Sequence, residues 1–120
     1  MISPCSWRAN VLTYHRRIVD ALSVPVIWHS DGDVTSLLPM AIEAGFVGVH
    51  GLEPAAEIDL AQIVRDYGRD LVLVGNVDVG VLLAADLAAV RQEVSRCIAQ
   101  GASRGTGYMI STCNRSLLGS

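Results

Sequence analysis

Three apolar runs in the chain each stop abruptly at a small polar cluster, and a stretch with helical character follows each of them. The runs occupy residues 24–28, 46–49 and 71–74. A strand buried on both faces of a parallel sheet is apolar throughout, whereas the residues just past its carboxyl end are free to be polar and converge on one edge of the sheet. The pattern therefore predicts a parallel α/β sheet with its function at the strand ends. The polar residues at these ends are His29, Asp31, Glu53, Asn76 and Asp78.

Helix start and stop signals predict the order of the elements. Ser3 and Pro4 open an amino-terminal stretch of helix that extends, with or without a break, to about residue 22. Ile18, Ala21 and Leu22 give this helix an apolar stripe. The other predicted elements are strands that start near residues 24, 46, 71 and 106, and helices over residues 34–44, 56–67, 79–84 and 87–100, with Asp33 and Asp86 as helix caps.

The predicted order is one helix, then three strand–helix units, then a final strand, in a single α/β domain over residues 1–120. A closed (β/α)8 barrel needs eight such units and typically ~250 residues. The pattern therefore predicts a partial barrel, a half-barrel with about four parallel strands and the amino-terminal helix first. A half-barrel has two open strand edges and an exposed aliphatic inner face. Because unpaired edges are templates for association, we expect a homodimer or higher oligomer.

Composition limits the possible partners and compartments. The chain is 51% hydrophobic and 18% charged, with a net charge of -3 and no run of like charges, which favours neither nucleic acid nor a membrane surface as a partner. Cys5, Cys97 and Cys113 form no C-x-x-C pair, and an odd, sparse cysteine count favours a reducing cytosol. No leader-like segment is evident, and no uncharged apolar run approaches the ~20 residues of a membrane helix. A cytoplasmic location is expected.

Four strings in register resemble the uroporphyrinogen decarboxylase superfamily: residues 25–33 (PVIWHSDGD), 51–59 (GLEPAAEID), 73–78 (LVGNVD) and 107–111 (GYMIS). The resemblance implies a (β/α)8 barrel, of which this chain matches the carboxyl-terminal half. The first two strings look more like the branch of corrinoid-dependent methyltransferases and demethylases than the true porphyrinogen decarboxylases.

The same resemblance suggests a metal site. In the zinc methyltransferases of the superfamily the local pattern is His, any residue, Cys, Gly; His29 fits it, but Asp31 stands in place of the Cys. A second Cys would fall near Gly107 or Tyr108, and Cys113 comes several residues later. Three ligands remain available for a nitrogen and oxygen site: His29, Asp31 and Glu53. Alternatively, His29 and Asp31 hydrogen-bond each other and the loop backbone.

The other candidate residues each have two interpretations. Glu53, together with Asp31, is a candidate catalytic carboxylate, since partial burial raises a carboxyl pKa toward a value useful for proton transfer; alternatively, Glu53 caps the helix after Pro54. Asn76 and Asp78 either bind a ligand or lock a turn. Tyr108 is either a substrate contact at the barrel mouth or a core aromatic residue. The interpretation of His50 and Cys97 is structural.

The resemblance implies two possible enzymatic functions, and the half-barrel pattern adds a third, non-enzymatic one. The first is a fragment of a corrinoid-dependent methyltransferase or demethylase, which is inactive alone and works with a corrinoid carried on a partner protein. The second is porphyrinogen decarboxylation without a cofactor. The third is a non-catalytic half-barrel that serves as an assembly module.

Overall fold

The structure, a computed structural model, describes residues 2–105 and 107–114. Its helices are α1 (Pro4–Asn10), α2 (Leu12–Ala21), α3 (Leu38–Ala44), α4 (Leu60–Tyr67), α5 (Val79–Leu83) and α6 (Leu87–Gly101). Its strands are β1 (Ile27–Ser30), β2 (Gly48–Gly51), β3 (Val72–Val77) and β4 (Tyr108–Thr112). Short 3-10 helices span Thr35–Leu37, Pro54–Ala56 and Ala102–Arg104.

The strands form one sheet in the order β1-β2-β3-β4, and every neighbouring pair is parallel. Strands that are consecutive in sequence are also neighbours in space, as in a segment of a (β/α)8 barrel. The α/β architecture predicted from the sequence, with four parallel strands and a helix first, is confirmed. The sheet does not close within the described residues, so β1 and β4 are both edge strands.

The two faces of the sheet differ in their covering. One row across the sheet consists of Trp28, Val49, Leu73 and Tyr108. This row packs against the helices, and the first three side chains are at most 9% exposed. The next row, which points to the opposite face, consists of His29, His50, Val74 and Met109. No described helix covers this second face, and Met109 is 55% exposed.

Several boundaries differ from the prediction for identifiable reasons. Strand β1 begins only at Ile27, since Pro25 has no N–H to contribute to a ladder. The predicted helix over residues 56–67 is a 3-10 turn followed by α4, because Asp59 accepts the Gln62 N–H and starts the helix at Leu60. The start predicted near residue 106 falls outside the described residues; β4 begins at Tyr108.

The two predicted helix caps differ in outcome. Asp86 caps α6 as expected, through the N–H groups of Ala88 and Ala89. Asp33 accepts the Thr35 N–H in a turn ahead of the 3-10 helix, and α3 starts later, at Leu38.

The apolar stripe predicted for the amino-terminal helix is wrong. The helix breaks at Val11, and α2 buries Leu12 with partial burial of Val19. Ile18 and Leu22 are 53% and 48% exposed. The reason is that α2 packs on α1 and α3 with its other side. In the described residues no helix is long and apolar enough to cross a membrane.

Candidate functional site

Six residues from three strand ends meet at the carboxyl edge of the sheet. We call them the rim cluster: His29, Asp31, His50, Glu53, Thr112 and Asn114. β1, β2 and β4 each contribute two of them, either within the strand or just past its end. Parallel strands bring their carboxyl ends to one edge, which is why residues far apart in sequence gather here.

Two imidazoles lie at the centre of the rim cluster. His29 and His50 are direct partners in the parallel register, and their Nδ1 atoms are 2.9 Å apart. The Nε2 atom of His50 lies 2.9 Å from the Thr112 carbonyl oxygen. The Nε2 atom of His29 lies 3.3 Å from Oδ1 of Asp31. The result is a continuous polar chain from a carboxylate through two rings to the backbone of β4.

The number of protons in this hydrogen-bonded network determines which chemistry it suits. Each of its three contacts needs one N–H, whereas two neutral imidazoles together carry only two N–H groups. The fully hydrogen-bonded form therefore holds one proton more than two neutral rings, and the Asp31 carboxylate lies beside it. Two imidazoles in contact with each other, one of them beside a carboxylate, are groups that suit acid–base chemistry.

Glu53 connects the loop after β1 to the end of β2. Its Oε2 accepts the Gly32 N–H at 2.7 Å, and its Oε1 lies 3.3 Å from Nδ2 of Asn114. The same amide nitrogen of Asn114 is 3.3 Å from Oδ1 of Asp31. Glu53 occupies the N-cap position of the 3-10 helix Pro54–Ala56, but its side chain makes no capping hydrogen bond there, so the geometry does not favour the helix-cap interpretation. The carboxylate is half-buried and belongs to the rim cluster.

The rim cluster is open to a ligand. His29, His50, Thr112 and Asn114 line a wide pocket of about 350 Å³. The side chains of His29 and Asp31 are 48% and 56% exposed, so the outer end of the polar chain faces solvent. A substrate at this edge can therefore reach both an imidazole and a carboxylate.

Close approach of two strands makes this geometry possible. Gly51 ends β2 at φ 120°, and a side chain there would overlap the carbonyl oxygen of Ser30 in β1. Only glycine adopts this conformation readily and leaves room for the neighbouring backbone. Gly51 thus keeps the ends of β1 and β2 close together beside the His29–His50 contact.

Asn76 does not face the rim. It is fully buried, its Nδ2 donates to the Leu52 carbonyl at 3.0 Å, and its Oδ1 accepts from Nη2 of Arg96 at 3.2 Å. The predicted contact with substrate therefore has no support in this geometry. Of the two interpretations of this turn, the arrangement favours the structural one, in which Asn76 holds the end of β3 against β2 and α6.

An ion pair on α6 completes this support. Arg96 and Glu93 form a half-buried pair with 2.6 Å between Nη2 and Oε1, and Oε1 of Glu93 also accepts the Asp78 N–H at 2.9 Å. The Arg96 guanidinium holds the pKa of Glu93 below its usual value, and the carboxylate in turn raises the pKa of Arg96. The Asp78 carboxylate itself accepts the Gly80 N–H and caps α5. Asp78 therefore has a structural role in this arrangement, and its predicted ligand contact stays a prediction.

Tyr108 lies on the helix-covered face and not at the barrel mouth. Its ring packs so closely on α6 that a side chain at Gly101 would overlap it, and its hydroxyl donates to the Gly75 carbonyl. Burial raises the pKa of the Tyr108 hydroxyl. The geometry supports the core interpretation of Tyr108 over the predicted substrate contact.

The predicted zinc site finds no geometric support. The described residues contain no group of three or more His, Cys, Asp or Glu side chains that could hold a metal ion. The thiol of Cys113 is buried and donates to the Val77 carbonyl. The zinc site of His29, Asp31 and Glu53 therefore stays a prediction.

Sequence reasoning missed half of the rim cluster. The available signal for His50 was its position: it lies near the end of its strand, as His29 does, and parallel strands in register place such residues side by side. Thr112 contributes through its backbone carbonyl, which no residue pattern reveals. Asn114 lies beyond the fourth apolar run, where the sequence gives no ligand-like spacing.

A parallel α/β sheet with helices on one face and a polar cluster at its strand ends defines the class of barrel-type α/β proteins whose active sites lie at that edge. The family model described as Uroporphyrinogen decarboxylase (URO-D) matches residues 1–114, so the chain belongs to the uroporphyrinogen decarboxylase family. Searches against curated proteins and against solved structures gave no match.

Proposed function

We propose that the chain is the carboxyl-terminal half of a uroporphyrinogen decarboxylase-like barrel of the corrinoid-dependent methyltransferase or demethylase type. The observation that carries the proposal is the rim cluster, in which two imidazoles and two carboxylates from separate strand ends share one hydrogen-bonded network. The family match supports the barrel, and the rim supports acid–base chemistry at its mouth.

The charges at the rim favour methyl transfer over decarboxylation of a porphyrinogen. A porphyrinogen substrate carries many carboxylates, which call for arginine or lysine partners. The chain has no lysine, and no described arginine belongs to the rim cluster. Arg96 is on the helix side of the sheet and pairs with Glu93. The rim supplies carboxylates and imidazoles instead, which suits a small donor or acceptor better than a polyanion.

The residues of the rim have separate roles in this proposal. A corrinoid, carried on a partner protein, supplies the cobalt that takes up or releases the methyl group. When a methyl group leaves a donor, the electron pair of the broken bond stays on the donor's oxygen or nitrogen, which then needs a proton. The His29–His50 pair delivers this proton, and Asp31 stabilises the protonated pair. Glu53 holds the loop at Gly32 and orients the substrate.

A non-catalytic assembly module is the second candidate, and the uncovered face of the sheet favours it. On that face Met109, which belongs to the edge strand β4, is 55% exposed. Without a second half, the rim is open on one side and water reaches it freely. We therefore propose that the isolated, monomeric chain is inactive and that activity needs a completed barrel, formed by self-association or by another chain.

Methyl transfer from methylcobalamin to a panel of small thiol and amine acceptors, followed by the visible spectrum of the corrinoid, tests the proposal. At concentrations where the chain is assembled, we expect slow transfer that falls at least tenfold in Glu53→Gln. Asp59→Asn is the matched control, since Asp59 only caps α4. Release of CO2 from uroporphyrinogen without methyl transfer would establish the decarboxylase alternative. If neither reaction is detected, the non-catalytic assembly module is the function that remains.

The zinc prediction has its own test. Elemental analysis of protein purified without chelator should show stoichiometric zinc in the wild type, with loss in His29→Ala, if the predicted site exists. If the purified protein contains no zinc, the remaining role of Asp31 and Glu53 is contact with an organic ligand.

A further inference from the structure

Apolar side chains are exposed mainly at the two ends of the molecule, beside the two edge strands. At the β1 end, α2 and the chain leading into β1 expose Tyr14, Ile18, Leu22, Val24 and Ile27. At the β4 end, α5, α6 and β4 expose Leu82, Leu83, Leu87, Ile98, Met109 and Ile110. By contrast, the large apolar side chains of α3 and α4, in the middle of the layer, are absent from the exposed set. We call these two sets the β1-end surface and the β4-end surface.

The molecular surface, taken over all 120 residues, is larger than a folded monomer of this mass normally exposes. The chain exposes 7154 Å², whereas a folded monomer of 12.8 kDa is expected to expose about 6,300 Å². The radius of gyration is 15.0 Å, whereas a compact domain of this length has about 13.6 Å. The excess of roughly 900 Å² is close to the ~800 Å² that one partner buries in a standard stable interface.

The two ends have complementary parts. In a (β/α)8 barrel each pair of neighbouring strands is covered by the helix that connects them. Within the described residues β4 is followed by no such helix, and the outward side chain of Ile110 is uncovered. Conversely, α2 precedes β1, packs on α3 with one side, and has a groove of about 380 Å³ lined by Tyr14, Arg17, Ile18 and Ala21 on its free side. Among the described residues, the β4 end has no covering helix, and the β1 end presents an uncovered one.

We infer that a second copy of this chain occupies both ends and closes a two-chain (β/α)8 barrel. In this arrangement β4 of each copy pairs with β1 of the other, and α2 of each copy lies over the β4-end surface of its partner. Two copies related by a two-fold axis along the barrel satisfy both edges at once, so the assembly closes and does not grow into a filament. Four strands from each copy make the eight that a closed barrel needs.

Closure also completes the site. His29 and Asp31 lie on the edge strand β1, so the described chain supplies neighbours to them on one side only. In the two-chain barrel, β4 of the partner borders them on the other side, and the two rim clusters face each other across one mouth. The inference rests on the barrel of the proposed function but not on its chemistry.

The oligomeric state of three variants tests the inference, measured by native mass spectrometry and by light scattering across a concentration series. The wild type should have twice the chain mass at low micromolar concentration. Ile18→Asp places a charge on the β1-end surface at a position exposed in the single chain, so it should fold normally and raise the dimer dissociation constant at least 30-fold. Val47→Asp is the matched control, because Val47 is also exposed but lies just before the central strand β2, away from both ends. It should remain dimeric.

A charge pair distinguishes this arrangement from other dimers. The double variant Ile18→Asp/Ile98→Arg places opposite charges on the two surfaces, which meet only when the β1 end of one copy packs on the β4 end of the other. Recovery of the dimer relative to Ile18→Asp supports the closed barrel, and a dimer that pairs like ends would not recover. A wild-type monomer, or a dimer insensitive to Ile18→Asp, would overturn the inference. Because the readout is mass, failure here is distinct from failure of methyl transfer.

Discussion

Single residues on the helix side of the sheet decide how firmly the strand ends are held. Asn76 connects Leu52 to Arg96, and Arg96 connects to Glu93, which holds the backbone of Asp78. None of these contacts involves a side chain of the rim cluster. They fix the backbone beneath the rim, so their loss should appear in stability before it appears in ligand binding.

Asn76→Ala tests this structural role. The substitution leaves the Leu52 carbonyl without its side-chain donor and removes one acceptor of Arg96, at a fully buried position. We expect a loss of roughly 2–3 kcal/mol in the free energy of unfolding. Urea denaturation measures it. Unchanged stability with weakened ligand binding would instead restore the substrate-contact role.

Glu93 should make the fold sensitive to acid. Since Arg96 holds the folded-state pKa of Glu93 below its usual value, the ionised pair stabilises the fold above that usual value, and this contribution is lost as pH falls through the folded-state pKa. Glu93→Gln should cost roughly 1–3 kcal/mol at pH 7 and should lose less further stability on acidification than the wild type. Denaturation at neutral and acidic pH measures both. Parallel acid losses in the two proteins would contradict the prediction.

The three cysteines should differ in reactivity. Cys5 is exposed, whereas Cys97 and Cys113 are buried, and burial raises the pKa of both buried thiols. Because the thiolate is the reactive form, native protein should titrate one fast thiol with Ellman's reagent, and unfolded protein three. Loss of the fast thiol in Cys5→Ser is the control. Rapid reaction of two or three thiols in native protein would show that the described burial is wrong.

At the scale of elements, the order of the helices and strands could be predicted because each strand is apolar and ends at polar or glycine residues. The end positions were less predictable, because they depend on caps and on neighbours. Asp59 moves the start of α4, and Pro25 shortens β1. The orientation of α2 depends on α3, so the apolar pattern around Ile18 could not identify the buried side.

The close packing of β1 and β2 gives a prediction at this scale. Gly51→Ala forces a side chain into the Ser30 carbonyl at a backbone conformation that alanine disfavours. We expect a loss of about 2–4 kcal/mol of stability. Gly105→Ala is the matched control: Gly105 also has positive φ but has open space around it, so its cost should be about 1 kcal/mol. Equal losses in thermal denaturation would contradict the tight strand contact.

At the scale of the whole molecule, the sequence predicted a parallel half-barrel and the edge at which its polar residues gather. The sequence did not distinguish side chains that belong to the rim cluster from side chains that are buried against the helices. His29, Asp31 and Glu53 belong to the rim cluster, whereas Asn76 and Tyr108 face the helices. That difference arises from side-chain contacts made across the sheet, which a linear pattern of apolar runs does not contain.

The central claim is that the carboxyl edge of this sheet is the functional site of a uroporphyrinogen decarboxylase-family barrel. Amide chemical-shift mapping with methylcobalamin as the probe tests it most directly. We predict saturable shifts at Gly32, Glu53 and Asn114, and their loss in Glu53→Gln. Shifts confined to the opposite edge, around Val26, Val47 and Leu71, or no saturable shift at all, would contradict it.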